Sequence, residues 1–152
     1  TRFVKPHFSY AHLMMPHDPY FTDSTGVLID RDVASVSDPE KLFVSYLQYT
    51  NKQMQTITDH LLSTEPDAII IIMSDHGYRE YTTEAENPKK FNNLLAVYFP
   101  DSNYQTIKNI RSNVNIFRVV LNQYFRQQLP LLPDSCMSID EAKNEFSAAA
   151  LP

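Results

Sequence analysis

The sequence predicts an α/β fold with a mostly parallel sheet flanked by helices, and three observations carry that expectation. Residues 68–73 form an apolar run with four consecutive isoleucines, the pattern of a strand buried on both faces. Ahead of it, Phe43, Leu47, Thr50, Met54, Ile57 and Leu61 step by 4, 3, 4, 3 and 4, which draws one continuous helical face. Ahead of that, residues 7–15 read as another buried strand between Pro6 and Pro16. Strand, helix and strand in this order make a βαβ unit, whose default is a parallel pair with a right-handed crossover.

The elements follow in chain order. Residues 16–37 hold Pro, Asp, Ser and Thr at turn density, with Gly26 inside, and read as a long functional or lid-like loop. Ser37 or Asp38 can cap the helix, and Pro39 suits its first position. Pro66 closes that segment before the isoleucine strand. Residues 78–92 are polar, and Glu80, Glu84 and Glu86 read as a solvated loop face. A third strand is expected over 94–99, stopped by Pro100. Asn115 can cap a short helix that carries Ile116, Val119, Val120, Tyr124 and Phe125. Residues 129–133 are bounded by prolines and are expected to pack back on the body. The main body thus covers 1–133, and 134–152 is expected to be a loosely ordered tail.

Composition narrows the function classes. A chain of 152 residues with 43% hydrophobic content is long enough to bury a core. Its formal charge of −5 argues against a nucleic-acid partner, which calls for a basic stripe. The single cysteine, Cys136, excludes an internal disulfide framework and cysteine-rich zinc patterns. No apolar run reaches the length of a membrane span.

Chemistry concentrates at two strand ends. Ser74-Asp75-His76-Gly77 follows the isoleucine run, where open α/β sheets bind their ligands. Taken alone, this tetrapeptide is equally an ordinary polar turn, because Asp and Gly are common turn residues. The other cluster is Tyr10 to Tyr20, in which His17 stands between Pro16 and Pro19. Those prolines restrict the backbone and lower the entropic cost of holding an imidazole. His12 sits on the expected strand, where a core or supporting histidine is the plainer reading. His7 reads as structural and His60 as a surface residue near a helix end. In a parallel sheet the two strand ends coincide, and His17 then converges with Asp75 and His76. A carboxylate with an imidazole suits a divalent ion such as Zn²⁺ or Mn²⁺. A further imidazole suits an oxyanion or a proton. The grouping fits chemistry at a phosphate or sulfate ester.

These residues resemble the sulfatase branch of the alkaline phosphatase superfamily. Beside the two clusters, Tyr46 to Asn51 is similar to the Tyr-Thr-Asp/Asn helix of sulfatases. Asn115 to Asn122, with Leu129 to Leu132, resembles the closing segment of bacterial membrane-anchored sulfatase-like proteins. The resemblance spans nearly the whole chain and implies an alkaline-phosphatase-like partial domain. It implies Asp75 and His76 as metal ligands, with Zn, Mn or Ca as the ion. It makes His17, from the Pro-His-x-Pro motif, the catalytic contact to the sulfate or phosphate group, and His12 a weaker substrate contact similar to one in phosphoethanolamine transferases. His after Asp75 leans toward the phosphoryl-transferring branch.

The family's nucleophile, a formylglycine, serine or threonine beside further acidic ligands, has no counterpart here. Cys136 lies in Ser-Cys-Met-Ser rather than in the modified motif. With the start at Thr1 and only two glycines, this leads to the expectation of the C-terminal part of a larger domain, whose missing N-terminal half supplies the nucleophile. The implied activity is a metal-dependent hydrolase or transferase of sulfate or phosphate esters, in which the fragment alone is inactive. The implied location is the periplasmic or extracytoplasmic face of a bacterial membrane, through a membrane-anchored parent. The alternative is a non-catalytic module that binds an anionic ligand or partner.

Overall fold

The longest run of helical periodicity forms the longest helix. In the computed structural model, which describes residues 6–79, 90–140 and 143–149, α2 runs Pro39–Thr64. Asp38 caps it: its carboxylate accepts the Glu40 N–H at 3.0 Å and its carbonyl accepts the Leu42 N–H at 3.1 Å. Pro39 at the first helical position has no N–H to orphan there. The chain divides into two units, Thr1–Thr64 and Glu65–Pro152.

In the first unit, α2 is covered by the segment expected as a loop. Tyr20 lies edge-on to Phe43 and tilted to Tyr46, at 5.9 and 6.1 Å between ring centroids. Tyr46 and Thr50 are the buried residues of α2, whereas Ile57, on the predicted face, is 41% exposed. The buried face is therefore partly aromatic and shifted from the predicted one. The loop also folds on itself. Thr22 and Leu28 form an antiparallel bridge. Within it, one Asp23 carboxylate oxygen accepts the Thr25 N–H, the Thr25 hydroxyl and the Val27 N–H. Gly26 takes φ +92°, and a Cβ there would stand 2.6 Å from the Tyr49 ring. Lys52 reaches from α2 to donate to the Ser24 carbonyl at 2.8 Å. A short helix, α1 (Arg31–Val36), follows, capped by Asp30.

The parallel sheet expected from the sequence is not formed. Residues 6–14 contain no strand, and Phe8, Tyr10, Leu13 and Met14 are exposed. Alternation of apolar residues supplies a strand's faces, but only a partner satisfies its backbone. The isoleucine strand, β1 (Ile70–Met73), pairs antiparallel with β2 (Leu95–Tyr98), with Ile70 opposite Tyr98 and Met73 opposite Leu95. An antiparallel pair needs only that the chain fold back, whereas a parallel one needs a crossover docked on the sheet. The fold is mixed α/β, with antiparallel pairing throughout its named strands.

The second unit is built on one face of this pair. Ile69, Ile71 and Val97 point toward a core of Phe99, Val119 and Val120, while Ile70 and Ile72 on the opposite face are half-buried. Phe99 is fully buried, which stabilises by about 2–3 kcal/mol. It stacks on Tyr104 at 5.4 Å and tilts against Tyr124 at 5.3 Å. The Tyr124 hydroxyl donates to Asp101 at 2.6 Å. Val119 and Val120 belong to α3 (Ile116–Phe125), entered through a 3-10 turn at Asn113–Asn115.

Contrary to the expected cap, the Asn115 side chain does not bond the first turn of α3 but pairs with the backbone of Leu132. Its amide donates to the Leu132 carbonyl at 2.8 Å and accepts the Leu132 N–H at 2.9 Å. Asn122 does the same with Leu129, at 2.9 and 2.8 Å. Between them Arg118 Nε donates to the Pro130 carbonyl at 3.1 Å. Seven helical residues rise about 10.5 Å and three extended residues about 10 Å, so the two spacings match. The segment 129–132 thus lies antiparallel along α3, packed back as its prolines suggested. Where a loose tail was expected, β3 (Cys136–Asp140) and β4 (Glu145–Ala149) form an antiparallel hairpin. The expected Glu80–Glu86 loop face lies outside the described residues.

Two stability outcomes follow from these contacts. Gly26→Ala is expected to cost about 1–3 kcal/mol through its positive φ and the Tyr49 contact; an unchanged urea midpoint would refute this. Asn115, itself only 1% exposed, satisfies both backbone polar groups of Leu132, and Asn115→Ala strips them of that partner. This substitution is expected to cost about 1–3 kcal/mol, more than Asn122→Ala, with faster amide exchange at Leu132.

Candidate functional site

The backbone at the end of β1 is held before any ligand chemistry begins. The Ser74 N–H donates to the Leu94 carbonyl at 3.0 Å, and the Leu94 N–H donates to Ser74 Oγ at 2.7 Å. The ladder is thereby extended one residue past Met73, with a hydroxyl standing in for a carbonyl. Gly77 N–H donates to the Lys90 carbonyl at 2.6 Å and ties down the far side of the corner. Asp75 and His76 project between these anchors.

The structure brings Asp75 and His76 together. The His76 N–H donates to Asp75 Oδ1 at 3.0 Å. The ring Nδ1 stands 2.6 Å from the Gly77 carbonyl, which can only accept, so Nδ1 carries the proton. Nε2 then faces Asp75 Oδ2 at 3.6 Å. The Asp75 side chain is 88% exposed and that of His76 32%.

These two residues fit a divalent metal. Ligands on a tetrahedral ion with bonds of about 2.1 Å lie about 3.4 Å apart, close to the observed 3.6 Å. A ligating histidine usually donates its other ring N–H to a carbonyl or carboxylate, as Nδ1 does to Gly77. Among the described residues, no group of three or more His, Cys, Asp or Glu is placed to hold an ion. Asp75 and His76 could therefore supply at most two ligands of a shell.

His12 and His17 belong to the first unit and Asp75 and His76 to the second. The strand on which His12 was expected is not formed, and its exposed ring lies 6.4 Å from that of Tyr10. His17 is also exposed, with Nδ1 donating to the Asp18 carbonyl, and Pro16 and Pro19 both follow cis peptide bonds. His60 is exposed near the end of α2.

Sequence reasoning missed two residues that bear on this corner. The side-chain amides of Asn93 and Asn113 both donate to the Ser74 carbonyl, at 3.2 and 3.1 Å. Asn113 is itself set in an ordered turn. Asp134 accepts the Ser112 hydroxyl at 2.7 Å, the Arg111 N–H at 3.1 Å and the Asn115 amide at 3.4 Å. Nothing in the local pattern around either asparagine marks these long-range bonds. No protein-family model, curated protein or solved structure matches the chain. Among the described residues, no helix is long and apolar enough to cross a membrane.

The hydrogen bonds set a pH dependence. The Ser112 hydroxyl holds the Asp134 carboxyl below its ordinary range, as the Tyr124 hydroxyl does for Asp101. A carboxyl lowered on folding stabilises above its unfolded value and loses that stabilisation as pH falls through the folded one. Burial and, next, Asp101 push the Tyr124 phenol up to about 12. A raised phenol favours the folded state until pH passes the ordinary tyrosine value near 10, then loses stability toward the raised value. Stability is expected to decline below about pH 4, less steeply in Asp134→Asn. The decline above about pH 10 is expected to be blunted in Tyr124→Phe. Melting temperatures from pH 2.5 to 11.5 check both limbs; variants that track the wild type would refute the assignment.

Proposed function

We propose that the chain is part of a sulfatase-like enzyme of the alkaline phosphatase superfamily, a metal-dependent hydrolase or transferase of sulfate or phosphate esters. The observation that supports it most is the Asp75–His76 pair, with Oδ2 and Nε2 separated by 3.6 Å and Nδ1 committed to Gly77. Asp75 and His76 would hold the ion, and bound metal supplies a Lewis acid that polarises the ester. Asp75 also lends negative charge that favours retention of a cation, while Gly77 keeps the His76 lone pair on Nε2. In this reading His17, in Pro16-His17-Asp18-Pro19, contacts the sulfate or phosphate oxygens, and His12 is a weaker substrate contact. In this reading the remaining ligands come from groups other than those the described residues bring together. The same resemblance places the parent protein at the extracytoplasmic face of a bacterial membrane.

A second reading, a non-catalytic module that binds an anionic ligand or partner, draws support from the two-ligand count among the described residues. Calorimetry with Zn²⁺, Mn²⁺ and Ca²⁺ separates the readings. Heats present in the wild type and lost in Asp75→Ala and His76→Ala are expected. Equal heats in wild type and Asp75→Ala would defeat the metal assignment, and binding of inorganic phosphate without metal would then favour the second reading.

A further inference from the structure

We infer that Asn93 and Asn113 are positioning residues for the Asp75–His76 pair, an inference that rests on reading the pair as metal ligands. Their two amides converge on one oxygen, the Ser74 carbonyl, from positions 19 and 39 residues along the chain. A carbonyl oxygen has two lone pairs, so both are engaged. The Ser74 carbonyl shares a rigid plane with the Asp75 nitrogen. Holding that oxygen from two directions therefore fixes the peptide from which Asp75 departs.

The rest of the corner is tied by other means. Ser74 N–H and Oγ are engaged with Leu94, Asp75 Oδ1 with the His76 N–H, His76 Nδ1 with Gly77, and Gly77 N–H with Lys90. In this set the Ser74 carbonyl is the backbone group held by side chains from distant segments of the chain. One amide would have satisfied the carbonyl; two amides from different segments also restrict its rotation. Relaxing that peptide swings Asp75 Oδ2 relative to His76 Nε2, the separation on which joint coordination depends.

The test uses the full chain, Zn²⁺ calorimetry, and the ring nitrogen and carbon-bound proton signals of His76 in metal-free protein. Asn93→Ala and Asn113→Ala are each expected to weaken Zn²⁺ binding about 10-fold, within the range for groups supporting metal ligands. Asn113→Gln, which keeps a neutral donor, should recover part of the affinity lost in Asn113→Ala. In metal-free Asn→Ala variants the His76 ring signals should move from their wild-type positions, because Asp75 Oδ2 is no longer held 3.6 Å from Nε2. Circular dichroism separates this from unfolding, and Asn93→Ala serves if substitution at Asn113 prevents folding. Wild-type affinity and wild-type His76 signals in a folded Asn93→Ala/Asn113→Ala double variant would overturn the inference. If the wild type binds no Zn²⁺, the metal reading fails by itself, and the His76 signals alone decide whether the amides hold the pair.

Discussion

The buried amide of Asn115 is the interaction on which the second unit most depends. Among the described residues each of its two sheets is only two strands wide, so backbone groups beside them need partners other than a ladder. Asn115 answers this by imitating a strand, giving and accepting one hydrogen bond with Leu132 at a position 1% exposed. The same amide reaches Asp134, which holds Ser112 and Arg111 in turn. The segment beside α3, the 3-10 turn and the amide of Asn113 are thus connected through one buried side chain. From Asn113 the connection continues to the Ser74 carbonyl, one peptide from Asp75.

The first unit solves a similar problem differently. Among the described residues of this unit no second long helix or sheet covers its one long helix, so an irregular segment does. That segment is held by the hydrogen bonds that gather at Asp23 and by three aromatic rings and Lys52, which bind it to α2. Gly26 is needed where the turn approaches the Tyr49 ring, since a side chain has neither the space nor a favourable φ there. A loop of that length is held by local hydrogen bonds and ring contacts, not by periodicity.

What was legible in the sequence follows from the range of each interaction. The start of α2 was readable because Asp38 and Pro39 act within one turn, and β2 and α3 because their apolar spacing is local. The corner after β1 was readable as a strand end with an adjacent Asp and His. Pairing direction was not, because four isoleucines specify burial without naming a partner; the strand met β2 folding back. The roles of Asn93, Asn113, Asn115 and Asn122 were hidden for the same reason. An asparagine carries a donor and an acceptor wherever it stands, and its partner is chosen by tertiary approach.

The geometry of the Asp75–His76 corner also bears on how it would hold an ion. Two ligands leave most of a coordination shell to water or to groups supplied from elsewhere. A carboxylate that is 88% exposed keeps its hydration and incurs little desolvation cost while the ion is absent. If the corner holds an ion as proposed, its open, hydrated carboxylate beside the imidazole would complete a shell rather than make one. The rigidity needed for that task comes from neutral amides and backbone carbonyls, which hold the corner without adding charge that would compete for the metal.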